Sequence, residues 1–127
     1  MITGLDHVQV AMPAGKEGEA RAFYGDLLGL REIDKPEPLR ARGGCWFAGA
    51  GFEFHLGVET PFLAAKKAHP AFRVNDLEAL TSRLQEAGVE VRFDTALPGV
   101  ERFYAHDPFG NRLEFLSADT LAGDAIR

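Results

Sequence analysis

Four side chains able to ligate a metal stand at matched places in this sequence: His7, His55, His69 and Glu114. Asp6-His7-Val8-Gln9-Val10 and His69-Pro70-Ala71-Phe72-Arg73-Val74 each open a strand-helix-strand stretch, and Phe52-Glu53-Phe54-His55-Leu56 and Arg112-Leu113-Glu114-Phe115-Leu116 each close one. His7 thus corresponds to His69, and His55 to Glu114. Such a two-part repeat suggests a pseudo-twofold domain whose equivalent strand positions converge on a central site, where three histidines and a carboxylate would meet. Strand alternation points the same way. Phe52, Phe54 and Leu56 take one face and leave Glu53 and His55 on the other, while Leu113 and Phe115 leave Glu114 facing away from them.

The elements that must hold these residues follow one order in both halves. Residues 5–12 alternate as a half-buried strand, with Val8, Val10 and Met12 on one face and His7, Gln9 and Ala11 on the other. Glu19 to Leu28 puts Ala20, Phe23, Tyr24, Leu27 and Leu28 at helical spacing and stops at Gly29. Leu30 to Ile33 resumes an extended pattern that Pro36 and Pro38 break, and Cys45–Ala48 with Phe52–Val58 reads as a hairpin around Gly49-Ala50-Gly51. After a connector over Thr60–Ala68 the order restarts. Ala71–Val74 is strand-like, Asn75 or Asp76 caps a helix running through Ala87, and Val89–Phe93 is the next strand. Arg102–Ala105 and Arg112–Leu116 form a second hairpin around Asp107-Pro108-Phe109-Gly110-Asn111, which makes His106 a solvated loop residue. The sum is β-α-β-β-β twice, each half too small to bury its own apolar face.

Composition narrows the function classes. A chain of 127 residues with 46% apolar content fits one compact domain without staples. The single cysteine, Cys45, cannot form an internal bridge and has no activating motif beside Trp46 and Phe47, so it is read as packing or edge exposure. Neither a leader-like segment nor a membrane-length apolar run is visible, so the expected compartment is a reducing cytoplasm and no membrane partner is expected. A formal charge of −5 with scattered basic residues argues against nucleic acid.

Leu5-Asp6-His7-Val8, Phe23-Tyr24-Gly25-Asp26-Leu27-Leu28-Gly29-Leu30, His69-Pro70-Ala71-Phe72-Arg73-Val74 and Phe103-Tyr104-Ala105-His106-Asp107-Pro108-Phe109-Gly110-Asn111-Arg112-Leu113-Glu114-Phe115 occur in this order. Together they resemble the vicinal oxygen chelate superfamily, the glyoxalase, bleomycin-resistance and extradiol-dioxygenase group, from about Gly4 to Ser117. The resemblance implies an α+β fold in which two βαβββ modules form a curved, cup-shaped eight-stranded mixed sheet with helices on the convex side. It divides a single domain, 1–127, into module one (about 4–58), connector 59–68, module two (about 69–117) and a tail, 118–127. Short two-module members of the family pair edge to edge or by exchanging modules, which implies a homodimer.

Carried over by position, the family's metal ligands fall on His7, His69 and Glu114, with His55 at the remaining place. Imidazole nitrogen and carboxylate oxygen suit Fe, Mn, Ni, Co or Zn as divalent ions, and a two-histidine, one-carboxylate set leaves coordination positions open to substrate. His55 is then a fourth ligand, the catalytic base or pocket lining. The glyoxalase I pattern has a glutamate where this chain has His55, and Glu53 on the same face is a partial replacement with a catalytic or pocket role.

Two function classes fit these residues. One is a metal-dependent enzyme acting on a small oxygen-chelating substrate: foremost a glyoxalase-like lyase or isomerase, alternatively a fosfomycin-type thiol transferase or a ring-cleaving dioxygenase. The other is a metal-free protein resembling the bleomycin-resistance proteins, which sequesters a drug. The bland readings are that strand histidines are hydrogen-bonded structural residues and that Glu53 is a rim residue. Trp46 and Tyr104 are both candidates for an aromatic pocket wall.

Overall fold

The computed structural model describes residues 1–118, so apart from Ala118 the expected tail lies outside the described residues. Two compact units emerge, Met1–Ala65 and Lys66 onward, and the division falls inside the connector. Each carries one four-stranded mixed sheet, ordered β1-β4-β3-β2 in the first and β5-β8-β7-β6 in the second. This is the α+β repeat that the sequence implies.

In the first unit β1 (His7–Met12) runs parallel to β4 (Phe52–Val58), which pairs antiparallel with β3 (Cys45–Gly49), itself antiparallel to β2 (Arg31–Ile33). A two-residue turn, Ala50-Gly51, closes the β3–β4 hairpin, and Gly51 takes the positive φ it requires. Residues Glu17–Ala20 form α1, which continues through Arg21–Leu27 with wider i→i+5 turns, as in the 2.9 Å bond from the Leu28 N–H to the Phe23 carbonyl. Phe23 and Tyr24 are both buried there. Tyr24 packs against Phe47 and Phe54, ring centroids 5.9 and 5.1 Å away, so the helical segment covers the apolar face of this sheet. Leu30 does not join β2, because its N–H closes the helix end on the Tyr24 carbonyl.

Glu37–Arg40 forms a one-turn helix, α2, where the two prolines led the sequence reading to expect only a break. Pro36 and Pro38 fall at the N-cap and the first turn, where a missing N–H costs no helical bond.

The second unit repeats the plan with β5 (Ala71–Val74), α3 (Leu77–Glu86), β6 (Arg92–Phe93), β7 (Arg102–His106) and β8 (Arg112–Ser117). Asp76 caps α3, its carboxylate accepting the Ala79 N–H at 3.0 Å. The expected strand from Val89 shrinks to two residues, since the Val89 N–H is spent on the Leu84 carbonyl at the helix end. His106 is also corrected: it is exposed, but it ends β7 opposite Arg112 and is not in the loop. That loop is built on Asp107, whose Oδ1 accepts the N–H groups of Phe109 and Asn111 and whose Oδ2 accepts Asn111 Nδ2, each at 2.9 Å. Phe72, Phe115 and Phe103 stack across β5, β8 and β7 as the apolar ladder of this unit, with centroids 5.6 and 5.1 Å apart. Each phenylalanine fully buried this way contributes roughly 1.5–3 kcal/mol.

Candidate functional site

In the first unit β4 presents Glu53 and His55 on the face opposite Phe54 and Leu56, and register brings His7 beside Glu53 and both Gln9 and Trp46 beside His55. The rings pile up. His55 stacks on Trp46 at 3.8 Å and 5°, and His7 stacks on His55 at 4.1 Å and 17°. Held between two rings, His55 is only 2% exposed, and its Nε2 lies 2.9 Å from Glu53 Oε1. Its Nδ1 is buried and has no hydrogen-bond partner among the described residues. The tautomer consistent with these contacts has Nε2–H donating to Glu53 and a lone pair at Nδ1. Glu53 is the open end of the dyad, its side chain 43% exposed. His7, partly exposed, sits 2.8 Å from Asp6 through Nδ1.

The second unit assembles a more polar group. His69, just before β5, has Nδ1 2.8 Å from the Lys67 carbonyl, which can only accept, so Nδ1 carries the proton. In the neutral ring Nε2 then holds a lone pair, yet it faces Glu114 Oε1 at 2.9 Å. Two acceptors at that distance call for a proton on Nε2 or a cation shared by both, and neighbouring donors on one divalent ion, with bonds of about 2.0–2.2 Å, stand about this far apart. The pair therefore fits a metal. Glu114, 6% exposed, also accepts from Arg102 NH1 through Oε2 at 3.2 Å, and Arg102 NH2 donates to Asp94 at 2.9 Å. Burial pushes the Arg102 guanidinium down, but Tyr104, Glu114 and Asp94 outweigh it and hold it above the ordinary arginine value. Tyr104, opposite Glu114 in register, carries Arg112 over its ring at 4.0 Å and meets the edge of His69 at 5.5 Å.

The candidate residues thus gather as His7, His55 and Glu53 in one unit and His69 and Glu114 in the other. Neither unit, among its described residues, groups three or more His, Cys, Asp or Glu side chains for a metal ion. Trp46 and Tyr104 both lie on the candidate faces, resolving the choice that strand parity left open. Arg102 shares strand parity with Tyr104, which the sequence shows, but its contact with Glu114 depends on the register of β7 against β8. Cys45 is buried in β3 on the opposite face, and burial pushes its thiol up to about 11, so it is inert packing. No described helix is long and apolar enough to cross a membrane.

Residues 4–115 match the model of the Glyoxalase/Bleomycin resistance protein/Dioxygenase superfamily, and the chain belongs to that family. A glyoxalase family protein from Bacillus anthracis is similar at 55% identity, with 92% of this chain and 96% of that one covered and a TM-score of 0.89. The fosfomycin resistance protein FosX from Listeria monocytogenes shares the fold at 21% identity, with 95% and 97% covered and a TM-score of 0.75. A mutant of FosX, at 21% identity, 92% and 93% coverage and a TM-score of 0.77, is complexed with Mn(II) and 1S,2S-dihydroxypropylphosphonic acid. No curated protein matches the chain.

Proposed function

We propose that this protein is a metal-dependent glyoxalase-like lyase or isomerase acting on a small oxygen-chelating substrate. His69 and Glu114 serve as two ligands of a divalent metal and His7 as the third. The observation that supports this best is the 2.9 Å approach of His69 Nε2 to Glu114 Oε1, while the Lys67 carbonyl accepts the hydrogen bond from Nδ1. The metal would supply Lewis acidity towards two adjacent substrate oxygens.

Proton transfer falls to the Glu53–His55 dyad. Its exposed end, the Glu53 carboxylate, takes the proton from a carbon next to a substrate carbonyl and returns it at the neighbouring position. His55, clamped between Trp46 and His7, holds that carboxylate in one orientation through Nε2–H. The working molecule is a cytoplasmic homodimer, with the domain spanning 1–127.

A specific contact favours a second reading. Arg102 already neutralises Glu114, and the Trp46–His55–His7 stack offers a flat ring surface, which together suit a metal-free, drug-sequestering protein. Elemental analysis of protein purified without a histidine tag, followed by Mn(II) titration of wild type, His69→Ala and Glu114→Gln, decides between them. Loss of at least about 100-fold in affinity in both variants is expected; equal affinity in all three proteins rejects the metal reading. Turnover is then screened on hemithioacetals, fosfomycin with thiols, catechols and acyl-CoA epimers, with Mn(II), Fe(II), Ni(II) and Zn(II). Light scattering tests the dimer.

A further inference from the structure

The first unit contains a cavity of ≈ 160 Å³ beside the ring stack, lined by Gln9, Lys35, Leu39, Arg42, Trp46 and Val58. Nothing in the metal or dyad chemistry uses it. Trp46 links it to the dyad, because the same indole that lines the cavity stacks on His55 at 3.8 Å. Its lining divides by chemistry. Leu39, Trp46 and Val58 form an apolar surface, whereas Lys35 and Arg42 are both cationic, on a chain whose net charge is −5.

One of the two cations is held in place by local structure. Lys35 Nζ donates to the Gly43 carbonyl, another part of the lining. Arg42 follows α2, and among the described residues it enters no ion pair. The nearby carboxylate of Glu17 is already engaged by the Gly44 N–H at 2.8 Å. Gly44 itself admits no other residue, since an added Cβ would lie 2.1 Å from the Leu56 carbonyl oxygen and its φ is +83°. The cavity wall is therefore built by close backbone approach as well as by side chains.

We infer that this cavity binds the non-reacting part of the substrate, and that this part is an apolar chain or ring of about six heavy atoms bearing a carboxylate. The size follows from the volume, since an apolar cavity of about 150 Å³ takes up benzene. The charge follows from Lys35 and Arg42, which would form charge-assisted hydrogen bonds to a carboxylate and leave a neutral isostere unmatched. As a subsite for the reaction proposed above, the cavity rests on that reading, but its occupancy is measurable without turnover.

Trp46 is the only tryptophan and lines this cavity, so a change in tryptophan emission has a single source. Benzoate and its neutral isostere benzamide would be titrated into wild type, Lys35→Met, Arg42→Met, Leu39→Phe and Glu53→Gln proteins whose circular dichroism matches wild type. Saturable benzoate binding at least about ten-fold tighter than benzamide is expected, with the preference falling by about ten-fold in Lys35→Met and in Arg42→Met. Leu39→Phe, which fills the cavity, should abolish binding of both probes. Glu53→Gln should bind benzoate as wild type does even if it loses turnover, so a failure of the dyad reading leaves this result untouched. Equal affinity for the two probes, benzoate binding unchanged in both cation variants, or no saturable change in Trp46 emission overturns the inference.

Discussion

The same cross-strand position does opposite chemistry in the two modules. Trp46 faces His55 in module one as Tyr104 faces Glu114 in module two, yet Trp46 lies flat on an imidazole while Tyr104 carries Arg112 over its ring. In the first module the aromatic ladder runs Trp46–His55–His7 along the candidate face; in the second it runs Phe103–Phe115–Phe72 along the apolar face. A repeat thus conserves which strand stands beside which, because backbone pairing and the apolar stripe demand it. It leaves the outward-facing positions free to diverge, and there the first module has become an aromatic half and the second an ionic half.

The largest effect should come from breaking the first half. Glu53→Gln keeps the hydrogen-bonding shape but cannot take a proton, so turnover on whichever panel substrate responds should fall by about two to four orders of magnitude with metal affinity retained. His55→Gln should cost less, about ten-fold, because it loosens the orientation of Glu53 without removing the acceptor. Should His55→Gln prove the more damaging variant, the roles within the dyad are reversed.

On the apolar face of the second half, Phe115→Ala removes the middle rung of the ladder, and chemical denaturation should report a loss of about 3–5 kcal/mol. A loss below about 1 kcal/mol would mean that the ladder is not a core.

Arg102→Met tests whether the ionic half awaits a cation. Leaving buried Glu114 without its guanidinium should cost about 3 kcal/mol. Under the metal reading, Mn(II) should restore much of that stability, because a cation on Glu114 replaces the one removed. An equal response to Mn(II) in wild type and variant would favour sequestration.

Much of this was legible in the sequence wherever the signal is local. The repeat, the helix ending at Gly29, and the shared face of Glu53 and His55 all follow from short periodicities within single segments. What escaped depends on register or on hydrogen bonds between segments. The period-two pattern of Val89–Phe93 could not reveal that the Val89 N–H is spent on the helix end, nor could Pro36 and Pro38 announce the single turn of α2 that walls the cavity. The Arg102–Glu114 contact joins adjacent strands at offset positions, and only the register fixes it.

The smallest expected effect concerns how each module anchors its helix. Asp76 caps α3 within its own first turn, whereas the residue before α1, Lys16, makes no side-chain cap, and Glu17 instead reaches the Gly44 N–H at 2.8 Å. That backbone bond, more than the nearby Arg21 and Lys35, lowers the Glu17 carboxyl below its usual value even against the opposing effect of burial. Because the folded value lies below the unfolded one, the stabilisation is fully present above the ordinary carboxylate pKa and is lost as pH falls through the lowered value. Glu17→Gln should therefore cost no more than about 1 kcal/mol at neutral pH, since the bond is partly solvated. Thermal melts of wild type and Glu17→Gln should differ at pH 7 and converge as the pH is lowered past the carboxylate range. A gap that stays constant down to pH 2 would show that Gly44 is held by packing, and the contrast between a helix anchored across the fold and one anchored within its own turn would be lost.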